Sequence, residues 1–418
     1  METRGERMLA LRRARMDASP PFLRGAFRPF FFGGALWAVV ALAIWLLALS
    51  GQITIPSSFG ALAWHRHEML FGFVGAVVAG FLLTAIPNWT GRLPIAGPPL
   101  AALFALWLLG RITVLFSAAA TPAIAAIVDS GFYFLLASVA GREVLQARNR
   151  NLPVVGLVLL FGVANLLDHL SAGGELVDPE MAWKIAVALV TLMISLIGGR
   201  IVPSFTRNWL AKHGISKGLP GQPSLFDWAV VGVTALALVA WLAAPSSQPI
   251  GALLAVAATG QAIRLARWSG WRAARDPLVL ILHVGYAWLP IGIGLLAAAQ
   301  LGTSIPQSAA VHALTAGAMA TMILAVMTRA SLGHTGRELR AGGATILCYA
   351  LVTIGALLRV TSALGWVDYL NGMFVGGTAW IGAFVVFLIA YTPVLFGSRW
   401  MKSASGCPRK QGRNRSRT

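Results

Sequence analysis

Long uncharged runs, interrupted by short polar or basic stretches, dominate the chain, and their length constrains the fold first. A ~30 Å hydrocarbon layer is crossed by about 20 helical residues at ~1.5 Å rise each. Windows of that kind lie at 30–49, 67–86, 100–116, 123–145, 152–170 and 183–202, and again at 226–244, 250–265, 278–299, 309–328, 343–364 and 373–396. The expected fold is an all-α polytopic membrane protein with about twelve transmembrane helices. A basic stretch rich in Gly and Pro, 203–225, divides the spans into two sets of six, 30–202 and 226–396. A basic segment, 1–29, precedes them and a basic tail, 397–418, follows, and no soluble domain is inserted.

Composition agrees with this pattern. Of 418 residues, 57% are hydrophobic and 11% charged, and the mean hydropathy is +0.74, outside the soluble globular range. The net charge of +19 would fit a nucleic-acid partner on a soluble protein, but here 28 of the 33 basic residues fall in alternate loops and in the two ends. Basic residues so distributed are topology signals, so no nucleic-acid partner is expected, the partner is the lipid bilayer, and both termini are expected in the cytoplasm. The N-terminus is Arg-rich but lacks a short apolar core followed by a small-residue cleavage site, and reads as a retained segment. The two cysteines, Cys348 in a span and Cys407 in the tail, exclude a disulfide framework and a Cys-rich metal site. With no C-x-x-C-H motif, any haem would be a non-covalent b haem held by histidine.

Candidate chemistry begins in the stretch 63–92, AWHRHEMLFGFVGAVVAGFLLTAIPNWTGR, where His65, His67 and Glu68 stand at the mouth of an apolar helix expected to close at Pro87 and Gly91. The stretch 311–337, VHALTAGAMATMILAVMTRASLGHTGR, follows the same plan. His67 maps to His312, Gly72 to Gly317, Thr90 to Thr335, Gly91 to Gly336 and Arg92 to Arg337, with 25 residues from histidine to arginine in each. Common ancestry and chance likeness between apolar helices both account for these matches.

Depth in the membrane sorts the histidines. With this topology His65, His67, His169 and His312 lie near the external face, His283 and His334 near the cytoplasmic face, and His213 in a basic loop. On a continuous helix the 22 residues between His312 and His334 span about 33 Å, far beyond the ~2.0 Å of a metal–nitrogen bond. Any metal chemistry therefore needs at least two sites, an outer one drawn from His65, His67, His169 and His312 and an inner one containing His283 and His334. His65 and His67 would sit about 200° apart on a helix, so they serve one metal only where the backbone leaves helical geometry. Imidazole suits copper, iron and zinc, while hydrogen-bonded structural histidine is the competing assignment for each residue.

Charged residues inside spans are costly and usually face the bundle interior. Arg111 and Arg359 are of this kind, either in structural ion pairs or opposite an anionic group such as a haem propionate. Arg66 is at a suitable level for a propionate, and Glu68 either orients a ligand, carries protons as a catalytic residue, or pairs with Arg66. No P-loop, Rossmann fingerprint or Ser-His-Asp arrangement occurs, which argues against ATP-driven transport and ordinary hydrolysis.

The segments FRPFF (27–31), WHRHEMLFGFVGAVVAGFLLTAIPNWTGR, GGRIVPSFTRNW (198–209), LHVGYAWLP (282–290) and VHALTAGAMATMILAVMTRASLGHTGR, in this order, resemble the NnrS family. The resemblance implies a haem- and copper-containing protein of the bacterial inner membrane, associated with nitric oxide metabolism, denitrification and defence against nitrosative stress. It implies His65, His67, Glu68, His283, His312 and His334 as metal candidates, with His169 a weaker addition. The working expectation is haem b between the second and tenth spans, on His67 or His65 together with His312, and copper at the remaining histidines. Turnover of nitric oxide would make the protein a haem/copper oxidoreductase and would require an electron donor that the sequence does not identify. A metal or haem transporter and a non-catalytic haem-based sensor are the alternatives.

Overall fold

In a computed structural model the chain is 80% helical. The structure describes residues 10–11, 13–14, 16–119, 121–172, 177–244 and 247–398; 173–176 of the acidic loop and nearly all of the 397–418 tail, Cys407 included, lie outside them. No strand occurs among the described residues. Among the described residues, twelve helices are long and apolar enough to cross a membrane. They are α1 (Phe27–Leu49), α2 (Ala61–Thr90), α3 (Pro98–Leu115), α4 (Pro122–Gln146), α5 (Leu152–Ala172) and α6 (Pro179–Lys212), followed by α7 (Leu225–Ala243), α8 (Gln248–Arg267), α9 (Pro277–Gln300), α10 (Gln307–His334), α11 (Gly343–Ala363) and α12 (Tyr369–Phe396).

Three boundaries differ from the sequence reading in ways that matter for the site. Helix α2 begins at Ala61, so His65 and His67 lie inside regular helix rather than at a frayed start. Pro87 sits within α2, and the helix ends at Gly91, whose φ of +68° is a left-handed cap that a side chain would strain. Helix α6 runs past Val202 to Lys212 with Pro203 inside it, because the freed carbonyl environment of a proline is tolerated where neighbouring helices pack around it.

Sequence neighbours pack side by side, and α12 returns against α1 to close the ring. Inside it α6 packs on both α2 and α10. These three inner helices share a feature that is rare in proteins, an internal π-turn: Glu68–Val74 in α2, Ile194–Gly198 in α6 and Ala313–Met319 in α10. It therefore recurs in every fourth helix. In α2 and α10 it starts on the residue after the matched histidine and covers seven residues in each, so the two stretches share backbone geometry as well as residues.

A π-turn leaves carbonyls poorly bonded within the helix, which in a lipid-surrounded bundle demands other donors. Trp107 of α3 donates to the Gly72 carbonyl at 3.0 Å, and the Tyr133 hydroxyl of α4 donates to that of Phe71. In α6 the Ser195 carbonyl accepts from Arg264 of α8 at 3.2 Å. The polar groups that repair these turns thus also lock the inner helices to the outer ring.

Candidate metal centres

The residues His65, Arg66, His67 and Glu68 are consecutive, yet the turn of α2 sends them to two different places. His67 and Glu68 are fully buried against α1, α3, α4 and α5. His65 and Arg66 line a cavity toward α10 and α11.

The first place is a polar cluster with no exposed member at its centre. His67 Nδ1 lies 2.8 Å from Asp168 Oδ2, and its Nε2 lies 2.9 Å from Asp129 Oδ2. His169 Nε2 meets the same Asp129 oxygen at 3.1 Å, and Asn165 donates to it at 2.7 Å. Arg111 ties the carboxylates together, bonding Glu68 Oε2 at 2.5 Å and Asp129 Oδ1, while the Trp37 indole donates to Glu68 at 2.6 Å. Glu68 Oε1 has no hydrogen-bond partner although it is buried. Glycine at 72 and at 110 makes room, since a Cβ at the first would meet the Glu68 carboxylate and Arg111, and one at the second would stand 2.9 Å from Asp129.

Charge bookkeeping shows what the cluster needs. Glu68, Asp129 and Asp168 face one guanidinium, Arg111, so with neutral imidazoles the ionised groups leave two negative charges in a low-dielectric interior. Such an excess is very costly unless protons or a cation offset it. One donor atom each from His67, Asp129 and His169 lie within 4.8 Å of one another, the one such three-residue group among the described residues. Two imidazoles and a carboxylate suit copper or zinc, and Asp168 on the far nitrogen of His67 is the kind of outer partner that orients a metal-bound imidazole.

The second place is a cavity of about 540 Å³ between α1, α2, α6, α10, α11 and α12. Its walls are largely apolar and aromatic, including Trp45, Trp183 and Trp380, and its polar groups are few: His65, Arg66, Glu180, His312, Arg359 and Tyr369 among them. His65 stacks on Trp45 with ring centroids 4.7 Å apart, and its buried Nδ1 has no partner. His312 donates from Nδ1 to the Ser308 carbonyl at 2.7 Å, which leaves the lone pair on Nε2. Arg66 pairs with Glu180 at 2.9 Å, not with Glu68, and lies over the Trp183 ring; Lys184 also reaches Glu180 at 3.6 Å. Arg359 lies over Tyr369, with one buried guanidinium nitrogen unpartnered.

The expected outer group of His65, His67, His169 and His312 is therefore divided. His65 shares the cavity with His312, whereas His67 turns to His169, and the pairing of His67 with His312 is not made. The cause is the 200° between neighbours two apart in an unbroken helix. The inner histidines keep separate company as well. His283 Nε2 bonds Thr206 at 2.8 Å and packs on Gly270, while His334 rests on the Phe27 ring at 5.5 Å. His213 stacks on Trp209. Asp129, Asp168 and Asn165 were not among the sequence candidates, yet two of them are carboxylates within apolar spans, the same signal that drew attention to Arg111 and Arg359.

Comparison with curated proteins finds no match for the chain. The family model described as NnrS protein matches residues 21–399, a region that contains the twelve helices α1 to α12 and both histidine centres. By that match the chain belongs to the NnrS family.

Proposed function

We propose that the protein acts in nitric oxide metabolism as a haem- and copper-binding membrane protein, with haem b in the cavity of His65 and His312 and copper at His67, His169 and Asp129. Family membership supports the role in nitric oxide metabolism. The observation that carries the placement is the convergence of His65 and His312, each with a ring nitrogen free of protein partners, on one apolar cavity. A tetrapyrrole would be held by this combination of aromatic walls, imidazoles and cations, with His65 and His312 available to its metal and Arg66 and Arg359 to its carboxylates. Bound haem would supply an iron able to take nitric oxide where only one of the two imidazoles ligates it, and copper would supply a second redox-active ion.

The chain's own groups define the rest. A second cavity, about 110 Å³ and lined by Val, Ile, Leu, Met and Phe side chains with Gly198, lies between α2, α5, α6 and α10 and shares Val74 and Met319 with the first. It offers a small uncharged molecule a path from the apolar side of the bundle. On the opposite face of α2, Glu68 holds an unpartnered carboxylate oxygen within the Arg111–Asp129 network, a position from which it can take up or release a proton. With the basic loops inside, the inner membrane of a bacterium is the expected location.

Optical spectroscopy and metal analysis of the purified protein test this. His65→Ala and His312→Ala are expected to lose the haem band while retaining copper, and His67→Ala and His169→Ala to lose copper while retaining haem. Native protein that carries neither group when expressed with both available overturns the proposal.

A further inference from the structure

A further concavity lies away from both histidine centres, at the face where the basic loops gather. It measures about 960 Å³ and is built from the end of α6, the α8–α9 connection and the α10–α11 connection. Lys212, Arg272, Arg275 and Arg340 line it, against the two carboxylates Asp276 and Glu338. Asp276 is occupied, since it caps α9 by accepting from the Leu278 amide at 2.9 Å. Arg272 is occupied too, donating to the carbonyls of Gly218 and Lys217 at 2.6 and 2.9 Å. Lys212, Arg275 and Arg340 make no side-chain hydrogen bond or ion pair among the described residues, so three cations from three separate segments converge without partners. Helix α11 starts just beyond the wall at Ala341, with no side chain capping its free amides, which adds positive potential. Trp271, 69% exposed, and Leu339, 46% exposed, put apolar surface at the mouth.

From these we infer that the pocket binds the phosphate of an anionic membrane lipid, with the headgroup among Lys212, Arg275 and Arg340 and the glycerol end against Trp271 and Leu339. Convergent cations select phosphate, and their position at the ends of the spans, with an exposed indole alongside, selects a phosphate that sits at the membrane interface. A headgroup there would bridge α6 and α10, two of the three inner helices.

The test uses the full chain, delipidated in detergent and offered phosphatidylglycerol or phosphatidylcholine, with bound lipid read by native mass spectrometry. Selective retention of phosphatidylglycerol is expected, weakened roughly 100-fold in the triple variant Lys212→Gln, Arg275→Gln, Arg340→Gln. The variant Arg275→Lys with Arg340→Lys keeps the charges and is expected to keep the lipid. Should the triple variant not fold, Arg340→Gln alone is expected to reduce retention severalfold. Equal retention of the two lipids, or glutamine variants that bind like the native chain, overturns the inference. Inorganic phosphate that binds the pocket and excludes the lipid overturns the lipid source.

Discussion

His67 is gripped at both ring nitrogens by carboxylates from two different helices, and that arrangement makes a definite prediction. Asp168 touches only the nitrogen that faces away from Asp129 and His169. Replacing it, Asp168→Asn, is expected to weaken copper retention about 10- to 100-fold, measured by competition with a chelator, while the haem spectrum stays unchanged. Asp129→Ala reaches further, because it also removes the acceptor that Arg111, His67, His169 and Asn165 share in a fully buried site. Its cost is expected to be about 3–5 kcal/mol, seen as a lower denaturation midpoint in detergent. At this scale the sequence was informative about depth and silent about direction. His65, His67 and His312 could be placed near one end of their spans from loop charges alone. Which of them look at one another depends on rotation about the helix axis, and no count of apolar residues records it. Asp129 and Asp168 carried a readable signal, a charge in an apolar run, whereas Asn165 and Trp37 carried none.

At the scale of elements, the π-turns of α2 and α6 are bonded to side chains of neighbouring helices. Tyr133→Phe removes the donor to the Phe71 carbonyl without changing the ring packing. An unsatisfied buried acceptor costs about 1–3 kcal/mol, so a lower thermal unfolding midpoint with native haem content is the expected result. The helices themselves were legible because length and hydropathy report membrane crossing directly. Their ends were less so. Pro203 reads as a stop in sequence, but with neighbouring helices packed around it the helix goes on to Lys212. The π-turns left no trace in hydropathy, and only the matched positions of the 63–92 and 311–337 stretches hinted that the two backbones share a local plan.

For the whole molecule, the first helix and the last are stitched at one face. Arg28 donates to the carbonyls of Leu395 and Gly397 at 2.6 Å each, and Phe22 stacks on Phe396 with centroids 4.2 Å apart. Reporter fusions at the two termini are therefore expected to give the same side, and the distribution of basic loops predicts the cytoplasm; opposite reports would contradict both the stitching and the charge argument. The three inner helices differ in the side chain that stands at each break. The residues that directly precede the three π-turns are His67, Met193 and His312. An imidazole therefore stands where the backbone widens in α2 and α10 and a thioether where it widens in α6, so of the three breaks those of α2 and α10 begin beside a nitrogen donor.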